Sequence, residues 1–537
     1  WSVKRRTSRP HGTLHALRST LHALTLCALV LLPAAARPAV AAAGPLTLAG
    51  VLGEAPYRIA VPADWNGTLV LYSHGYIPAG VPNQAQDAPD AATASWLLDH
   101  GYALAGSAYS ATGWAVAEAL DDQVALLDFF ARRVGPPQRV IAWGQSLGGL
   151  ITAGLAQRYP GRFAGALPMC GILAGSVGAW NEGLDAAFAF KTLAAPAAEI
   201  QLIHIAGEGG ANLQVAQRAL DAAQQTPQGR ARIALAAALA NVPGWFDPAR
   251  PEPAADDDAA REEAQYRWSQ RSLFLYAFGF RAELERRAGG NPSWNTGVDY
   301  RAQLAGSVDY SEVVALYRQA GLDLDADLDA LARAPRIAAD PAAVAYLAQN
   351  VVFDGELRLP VLTMHTTADG LVRVQNERAY ADVVQAAGAG ELLRQVYVAR
   401  PGHCAFTPAE MLAAFQALVA RLDAGRWDDG PHAPTPAALA RAAVALGPDL
   451  NAMTSFQNAR TPTPPAFVSY RPVPFPRPFD ARAAPAPGAA DAPASALGPD
   501  RASAPPGLAW LWLAIAAAAV VAGTATIASR RHAGRAD

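Results

Sequence analysis

The chain contains 537 residues, a length that favours two folded units over one compact domain. Apolar residues make up 52% of the sequence, which is enough for a large core. The formal net charge of -3, with no basic cluster outside the two ends, argues against a nucleic-acid-binding protein.

Both ends of the chain carry apolar segments with charged flanks. Residues 1–43 combine a basic start, an apolar run and small residues, which predicts a secretory signal peptide; an N-terminal membrane anchor is the alternative. Residues 508–529 carry no charge and precede an arginine cluster, which predicts a single transmembrane helix. Residues 431–507 are interpreted as a C-terminal extension and a Pro/Ala-rich linker. We therefore expect an exported domain, anchored at the extracytoplasmic face of the bacterial cytoplasmic membrane.

Short apolar runs alternate with helical patterns over residues 44–185 and again over 356–430. This alternation predicts a mostly parallel sheet with helices on both faces, and a ligand site beyond the carboxyl ends of the strands. From 186 to 355 helical patterns dominate, and we interpret this segment as a cap inserted into the sheet domain. The predicted strands are 46–52, 57–61, 68–72, 102–108, 140–143, 163–169, 359–364 and 393–399.

A sharp turn separates one of these strands from a helical pattern. The turn, Gly144-Gln145-Ser146-Leu147-Gly148, has the G-x-S-x-G spacing of a nucleophile elbow. Small residues at both glycine positions allow the strand and the helix to pass close to the turn. The turn is expected to expose the Ser146 hydroxyl and to direct the Leu147 N–H towards a developing oxyanion.

Two further polar residues follow predicted strands, in the order that a Ser–Asp–His triad requires. Asp369 follows the strand at 359–364, and His403 follows the last strand. His403 is predicted to take the proton from Ser146, while Asp369 orients the imidazole. His365, four residues before Asp369, is expected to pack at the strand end instead.

A histidine-glycine pair, His74-Gly75, follows the strand at 68–72 and indicates the loop that supplies a second oxyanion donor. The Tyr76 N–H is our choice for that donor, with the Gly75 N–H second. His74 is expected to orient the loop through the backbone. Aromatic residues of the cap are candidates to line the substrate pocket, although each taken singly fits a cap core better: Trp245, Phe246, Trp268, Phe274, Tyr276 and Trp294.

Taken together, these motifs resemble those of the α/β-hydrolase superfamily, over about 44–185 and 356–430. The resemblance implies an α/β-hydrolase fold with a large cap and the activity of a serine hydrolase. Members of this shape include carboxylesterases and secreted prolyl-type aminopeptidases. No metal or organic cofactor is expected, because the sequence has no zinc-ligand spacing and no phosphate-binding loop.

Two cysteines, Cys170 and Cys404, remain after removal of the predicted signal peptide. In an oxidising compartment an even pair indicates a disulfide; two separate buried thiols are the alternative. His403-Cys404 also resembles the tannase and feruloyl-esterase family, in which a disulfide joins the nucleophile and histidine loops. Here the residue before Ser146 is Gln145 and not cysteine, so we hypothesise that Cys170 is the partner.

The favoured function is hydrolysis of carboxylic esters, on a small-molecule or polymeric substrate, through an acyl-enzyme. The first alternative is an exopeptidase, in which Glu182 and Asp185 would bind the amine of the substrate; a solvated position for both is the favoured interpretation. The second alternative is a non-catalytic binding protein on a hydrolase scaffold.

Overall fold

A nine-stranded sheet forms the centre of the protein, which we describe from a computed structural model over residues 44–454 and 460–479. The predicted signal peptide (1–43) and the predicted membrane segment (508–529) lie outside the described residues. Within the described ranges, no helix has both the length and the apolar character needed to cross a membrane. The strands are β1 (Leu46–Leu52), β2 (Ala55–Val61), β3 (Thr68–Ser73), β4 (Ala103–Ser107), β5 (Arg139–Gln145), β6 (Gly165–Met169), β7 (Val361–Ala368), β8 (Leu393–Pro401), β9 (Ala452–Thr454), β10 (Arg460–Pro462) and β11 (Phe467–Val468).

The order of the strands is β1-β2-β4-β3-β5-β6-β7-β8-β11, and the six strands from β4 to β8 in this order run parallel. β2 is antiparallel to both of its neighbours, and β11 is antiparallel to β8. All eight strands predicted from the sequence are present, and the α/β-hydrolase fold is confirmed. β9 and β10 form a separate two-stranded sheet.

Helices cover both faces of the sheet, as the continuous apolar strands predict. Leu69 and Leu71 of β3 pack into one core, whereas Val70 and Tyr72 pack into the core on the opposite face. The helices are α1 (Ala91–Asp99), α2 (Val116–Arg133), α3 (Leu147–Arg158), α4 (Gly175–Leu193), α5 (Gly210–Gln224), α6 (Pro227–Ala238), α7 (Asp258–Trp268), α8 (Arg281–Ala288), α9 (Tyr300–Ala305), α10 (Tyr310–Ala320), α11 (Leu324–Arg333), α12 (Pro341–Gln349), α13 (Gln375–Ala386), α14 (Pro408–Ala424) and α15 (Pro436–Ala445). α2 and α3 lie on the first face, and α1 and α14 lie on the second.

Between β6 and β7 the chain forms a helical insertion that runs from α4 to α12 and includes π-helical stretches at Ser269–Leu273 and Leu275–Phe280. The insertion has a hydrophobic core of its own. Trp180 and Tyr276, however, pack with the core over the sheet, and the insertion does not separate from the sheet as a second unit. The predicted start of the cap at residue 186 falls inside α4, so the boundaries 186–355 remain a prediction.

The C-terminal extension packs back onto the sheet and the insertion. Phe467 and Val468 extend the sheet beside β8. Further along, Arg477 forms an ion pair of 2.7 Å with the buried Asp185 of α4, and Phe475 is buried. The extension is therefore joined to α4 through Arg477.

Two glycines allow the elbow to form at the end of β5. A Cβ atom on Gly148 would lie 1.9 Å from the carbonyl oxygen of Ser73, and one on Gly144 would lie 2.5 Å from the same oxygen. Both contacts are far below any real Cβ separation, and the opposing atom is rigid backbone. α3 can approach β3 this closely only because residues 144 and 148 are glycines, which have no side chain.

We predict that Gly148→Ala destabilises the protein by about 3 kcal/mol or more, because the added methyl group must displace the backbone of β3. Gly161→Ala is the control, since a Cβ there meets nothing within 4 Å. Urea unfolding curves of the two variants measure the difference. Equal stability of both variants would contradict the packing argument.

Candidate active site

Ser146 occupies the turn between β5 and α3 in a strained backbone conformation, with φ 60° and ψ -124°. Such a conformation costs about 1–3 kcal/mol in a residue other than glycine. Its N–H donates a hydrogen bond of 3.0 Å to the Met169 carbonyl at the end of β6. On the other side, Gly75 approaches so closely that a Cβ there would lie 3.3 Å from the Ser146 Cβ. The surrounding backbone therefore holds the strained turn in place.

The structure brings together the three side chains predicted to form a triad. His403 Nε2 lies 2.7 Å from Ser146 Oγ, and His403 Nδ1 lies 2.7 Å from Asp369 Oδ2. The other Asp369 oxygen accepts hydrogen bonds from the N–H groups of Leu371 and Val372, at 2.8 and 2.9 Å. This arrangement allows a proton to pass from Ser146 to His403 while Asp369 fixes the imidazole.

The carboxyl group of Asp369 is fully buried, yet it is held in the ionised form. Burial alone would raise its pKa, but the charge of His403 and hydrogen bonding by His365 and His403 keep the pKa well below its usual value. An ionised Asp369 is the form that favours the imidazolium of His403.

A second buried ion pair lies behind Asp369. His365 Nδ1 is 3.1 Å from Glu377 Oε1, and His365 Nε2 is 2.8 Å from the Val372 carbonyl and 3.6 Å from Asp369 Oδ2. Because a carbonyl and carboxylates only accept hydrogen bonds, both ring nitrogens must carry protons. Burial would lower the pKa of His365, but Asp369 and Glu377 raise it to about 10. The expectation that His365 packs at the strand end is correct, and the residue is also a cation.

A disulfide joins the loop that carries His403 to the end of β6. Cys170 and Cys404 are bonded, with their Cα atoms 5.4 Å apart, and Cys170 is the partner that the sequence led us to hypothesise. Cys404 is adjacent to His403, so the bond fixes one side of the imidazole. Both sulfur atoms are used in this bond, which rules them out as metal ligands.

The opposite side of the same loop is held by a buried arginine. Arg400 makes two hydrogen bonds with Glu410 of α14, at 2.8 and 3.0 Å, and a third with the Ala405 carbonyl at 2.6 Å. Bidentate pairs of this kind fix geometry as well as charge. His403 therefore lies on a short loop that is held at both ends.

His74 braces the loop that follows β3, as expected. Its Nδ1 lies 2.7 Å from the Gly75 carbonyl, and its ring stacks on Tyr109 at 4.1 Å. Burial lowers the pKa of His74, which favours the neutral imidazole. The predicted oxyanion donors, Tyr76 and Leu147, both line a cavity beside Ser146.

This cavity has a volume of about 40 Å³ and an apolar wall. Tyr276 is the one member of the six proposed aromatic residues that lines it. A charged pair, Arg373 and Glu182, lines the same cavity. The full lining comprises Tyr76, Trp114, Ser146, Leu147, Ile172, Ala179, Glu182, Tyr276, Phe280, Leu371, Val372, Arg373 and Asn376.

The other predicted pocket aromatics lie elsewhere, and the prediction that Trp245, Phe246 and Trp294 line this cavity is not supported. Trp245 donates to the Asp247 and Arg250 carbonyls and lines a separate polar cavity. Phe246 packs on Trp268, and Trp294 packs on Phe479. Trp268 and Phe274 belong to the core of the insertion.

Glu182 and Asp185 are buried, so the interpretation that they are solvated is wrong. Asp185 is bound by Arg477, by the Tyr300 hydroxyl and by Gln303. Glu182, in contrast, lines the cavity. Arg373 was missed by the sequence analysis, although its position four residues after Asp369 was the available signal. The sequence carried no comparable signal for Trp114 and Phe280.

Comparison with known proteins places the chain in a family. Residues 51–387 match the tannase-like family of unknown function (DUF6351). The chain belongs to this family. An o-phthalyl amidase of Xanthobacter agilis is 30% identical over 410 residues, which span 70% of this chain and 88% of the amidase. The protein is a hydrolase of the α/β-hydrolase superfamily, as the resemblance implied.

Two solved structures from Aspergillus oryzae are among the similar ones. An esterase shares 14% identity, with a TM-score of 0.37, and the match covers 71% of this chain and 80% of the esterase. Feruloyl esterase B also shares 14% identity, with a TM-score of 0.36, and the match covers 72% of this chain and 82% of that one.

We predict that Cys170→Ala/Cys404→Ala lowers the free energy of unfolding by about 2–5 kcal/mol, because the bond closes a loop across 234 positions of the chain. Reduction of the wild-type protein with a thiol should have a similar effect. Urea unfolding with and without reductant measures both. An unchanged midpoint in the double variant would contradict a stabilising role.

We also predict that His365 makes stability depend on pH. Its pKa is near 6.5 when unfolded and about 10 when folded. Its contribution is therefore complete below about pH 6.5 and is lost as the pH rises towards about 10, with a total on the order of a few kcal/mol. Asparagine does not titrate, so the fall in the free energy of unfolding that His365 causes over this pH range should be absent in His365→Asn.

Unfolding free energies of both proteins, measured across this pH range, test the prediction. Val384→Ala is the control, because it creates a cavity in the same region without removing a titratable group. Its curve should stay parallel to that of the wild type. A parallel curve for His365→Asn would show that His365 does not carry the extra proton.

Proposed function

We propose that the protein is a serine hydrolase that cleaves carboxylic esters through an acyl-enzyme. In this proposal Ser146 is the nucleophile, His403 is the general base and then the general acid, and Asp369 orients His403. The N–H groups of Leu147 and Tyr76 bind the oxyanion. The observation that carries the proposal is the unbroken chain of two 2.7 Å contacts from Ser146 Oγ to Asp369.

The reaction follows from these two hydrogen bonds. Ser146 Oγ attacks the carbonyl carbon of the ester while its proton moves to His403 Nε2. The C–O bond then breaks, and His403 returns the proton to the leaving alkoxide. A water molecule repeats the sequence on the acyl-enzyme and releases the acid. The positive charge that forms twice on His403 faces the ionised Asp369 at 2.7 Å.

Amide hydrolysis is the second candidate, because the 30% identical relative is an amidase. The same residues suffice, provided that His403 protonates the leaving nitrogen. An aminopeptidase is less favoured, since Asp185 is already bound by Arg477 and Glu182 is paired with Arg373. A non-catalytic binding protein would have no use for the strained Ser146 beside a hydrogen-bonded histidine.

Export and membrane attachment form part of the proposal. The patterns at 1–43 and 508–529 favour a signal peptide and a C-terminal anchor. The Cys170–Cys404 disulfide supports an oxidising compartment, where such bonds persist. Under this proposal the site lies on the extracytoplasmic side of the membrane.

The test compares 4-nitrophenyl esters with the matching 4-nitroanilides, using the full chain. Ser146→Ala should reduce turnover by about a thousandfold or more, because the nucleophile is removed. Ser95→Ala, at an exposed position of α1, is the control and should behave as the wild type. Ester turnover without anilide turnover supports the esterase, whereas anilide turnover supports the amidase.

Covalent labelling by a fluorophosphonate provides the second readout. The wild type and Ser95→Ala should be labelled, and Ser146→Ala should not. Labelling of Ser146→Ala, or full activity in that variant, would overturn the assignment of the nucleophile. Absence of both labelling and turnover in the wild type would favour the binding protein.

A further inference from the structure

Three residues that line the cavity beside Ser146 each have a buried polar atom without a hydrogen-bond partner among the described residues. These atoms are Arg373 Nη2, Glu182 Oε1 and Tyr276 Oη. The exposed fractions of these residues are only 1%, 3% and 8%. A buried polar atom without a partner costs about 1–3 kcal/mol, and more when the group is charged. Their presence together in one cavity indicates that a polar group satisfies them there, which is water in the free protein and a substrate group in the complex.

Arg373 is held rigidly by its other nitrogens. Nε donates to the Ala240 carbonyl of the insertion at 3.1 Å, and Nη1 donates to the Leu371 carbonyl at 2.8 Å. Leu371 lies in the same turn that supplies N–H groups to Asp369. The guanidinium is thereby fixed relative to the proposed triad, and Nη2 is left over for a ligand.

The charge of Arg373 is only partly compensated. Glu182 lies 3.3 Å from Arg373 Nε, but burial raises the pKa of Glu182 to about 7, against the effect of Arg373 and with a contribution from Asp185. Glu182 therefore gains a proton readily near neutral pH. Once protonated, it leaves Arg373 as an unpaired cation and offers an O–H donor of its own.

The other charged groups near Glu182 have partners of their own or lie outside the cavity. Asp185, on the same helix, is paired with Arg477 of the C-terminal extension. From the π-helical stretch, Tyr276 lines the same cavity as both members of the pair. Arg281 of α8 is fully buried, binds the Trp180 carbonyl and does not line the cavity. The remaining lining is apolar or uncharged.

We propose that this cavity binds the acyl group of the substrate and that the acyl group carries a carboxylate, which Arg373 recognises. Tyr276 and the protonated Glu182 supply two further donors to the same carboxylate. The inference rests on the proposed function, since it assigns the acyl side of that reaction. Arg373 is therefore a specificity-determining residue.

The alternatives satisfy these atoms less well. A neutral acyl group would leave Arg373 Nη2 buried without an acceptor, and a cationic group would be repelled by Arg373. A cavity of about 40 Å³ has room for about three water-sized groups, which suits a short acyl chain that ends in a carboxylate. The walls formed by Trp114, Ile172 and Phe280 exclude water and strengthen the contact with Arg373.

The test uses two esters of equal shape, ethyl hydrogen succinate and ethyl 4-methylpentanoate, in which a carboxylate replaces an isopropyl group. Ethanol release by the full chain is measured. We expect kcat/KM to favour the succinate ester roughly 10- to 100-fold, the effect of one or two hydrogen bonds to a charged group. Arg373→Gln should remove that preference. Arg281→Gln, which removes a buried arginine outside the cavity, should retain it.

The dependence of KM on pH distinguishes carboxylate binding from a purely structural role of Arg373, because a structural role would not alter it. Since carboxylate binding favours protonated Glu182, KM for the succinate ester should rise from about pH 6 to about pH 8. KM for the neutral ester should not follow. Glu182→Gln mimics the protonated form, so the preference should persist and this rise in KM should disappear.

Each outcome is decisive. Equal kcat/KM for the two esters in the wild type, or a preference unchanged in Arg373→Gln, overturns the carboxylate proposal. If Arg373→Gln does not fold, the test uses Arg373→Lys and Glu182→Gln instead. Arg373→Lys keeps the positive charge but lacks the planar guanidinium with its several donors. Absence of Ser146-dependent turnover with both esters and with the 4-nitrophenyl esters would instead defeat the proposed function.

Discussion

The buried negative charge of Asp369 is the constraint around which the site is arranged. An isolated carboxylate at full burial would take up a proton, so the surrounding groups must hold it ionised. Two backbone N–H groups bind one oxygen, His403 contacts the other, and the His365 cation lies behind it. The turn after β7 is therefore shaped by this charge, and the same turn fixes Arg373 at the cavity.

The positive charge of His365, which compensates Asp369, needs a compensating charge in turn. The cation of His365 is itself buried and would be costly without Glu377, which also accepts a hydrogen bond from Gln395 at 2.7 Å. The buried charges thus alternate in sign from Asp369 through His365 to Glu377, and His403 links Asp369 to Ser146. Removal of Asp369 or His365 leaves an uncompensated buried charge, so the charged groups behind His403 act as one unit.

Much of the core was predictable because its patterns are local. The strands are short apolar runs bounded by turns, and Ser146, Asp369 and His403 each follow one of them. The insertion was less predictable. α4 is buried on almost every side, so its sequence carries no amphipathic pattern to mark it, and the predicted boundary fell within it. The cavity lining depends on how six separate segments of the chain pack, and this packing could not be read from the sequence at Trp245, Phe246 and Trp294.

The buried ion pairs of this protein differ in how completely their polar atoms are paired. Arg400 with Glu410, and Arg477 with Asp185, use several nitrogens and oxygens in direct contacts, as expected for pairs that only hold elements together. Arg373 and Glu182 are buried as deeply, yet each retains an atom without a partner among the residues described. Glu285 and Glu312, which also belong to buried ion pairs, likewise keep one oxygen without a partner, so an orphaned atom alone does not mark a site. What distinguishes Arg373 and Glu182 is that they line one cavity together with Tyr276, and the carboxylate that we propose for the acyl group would supply the contacts that all three lack.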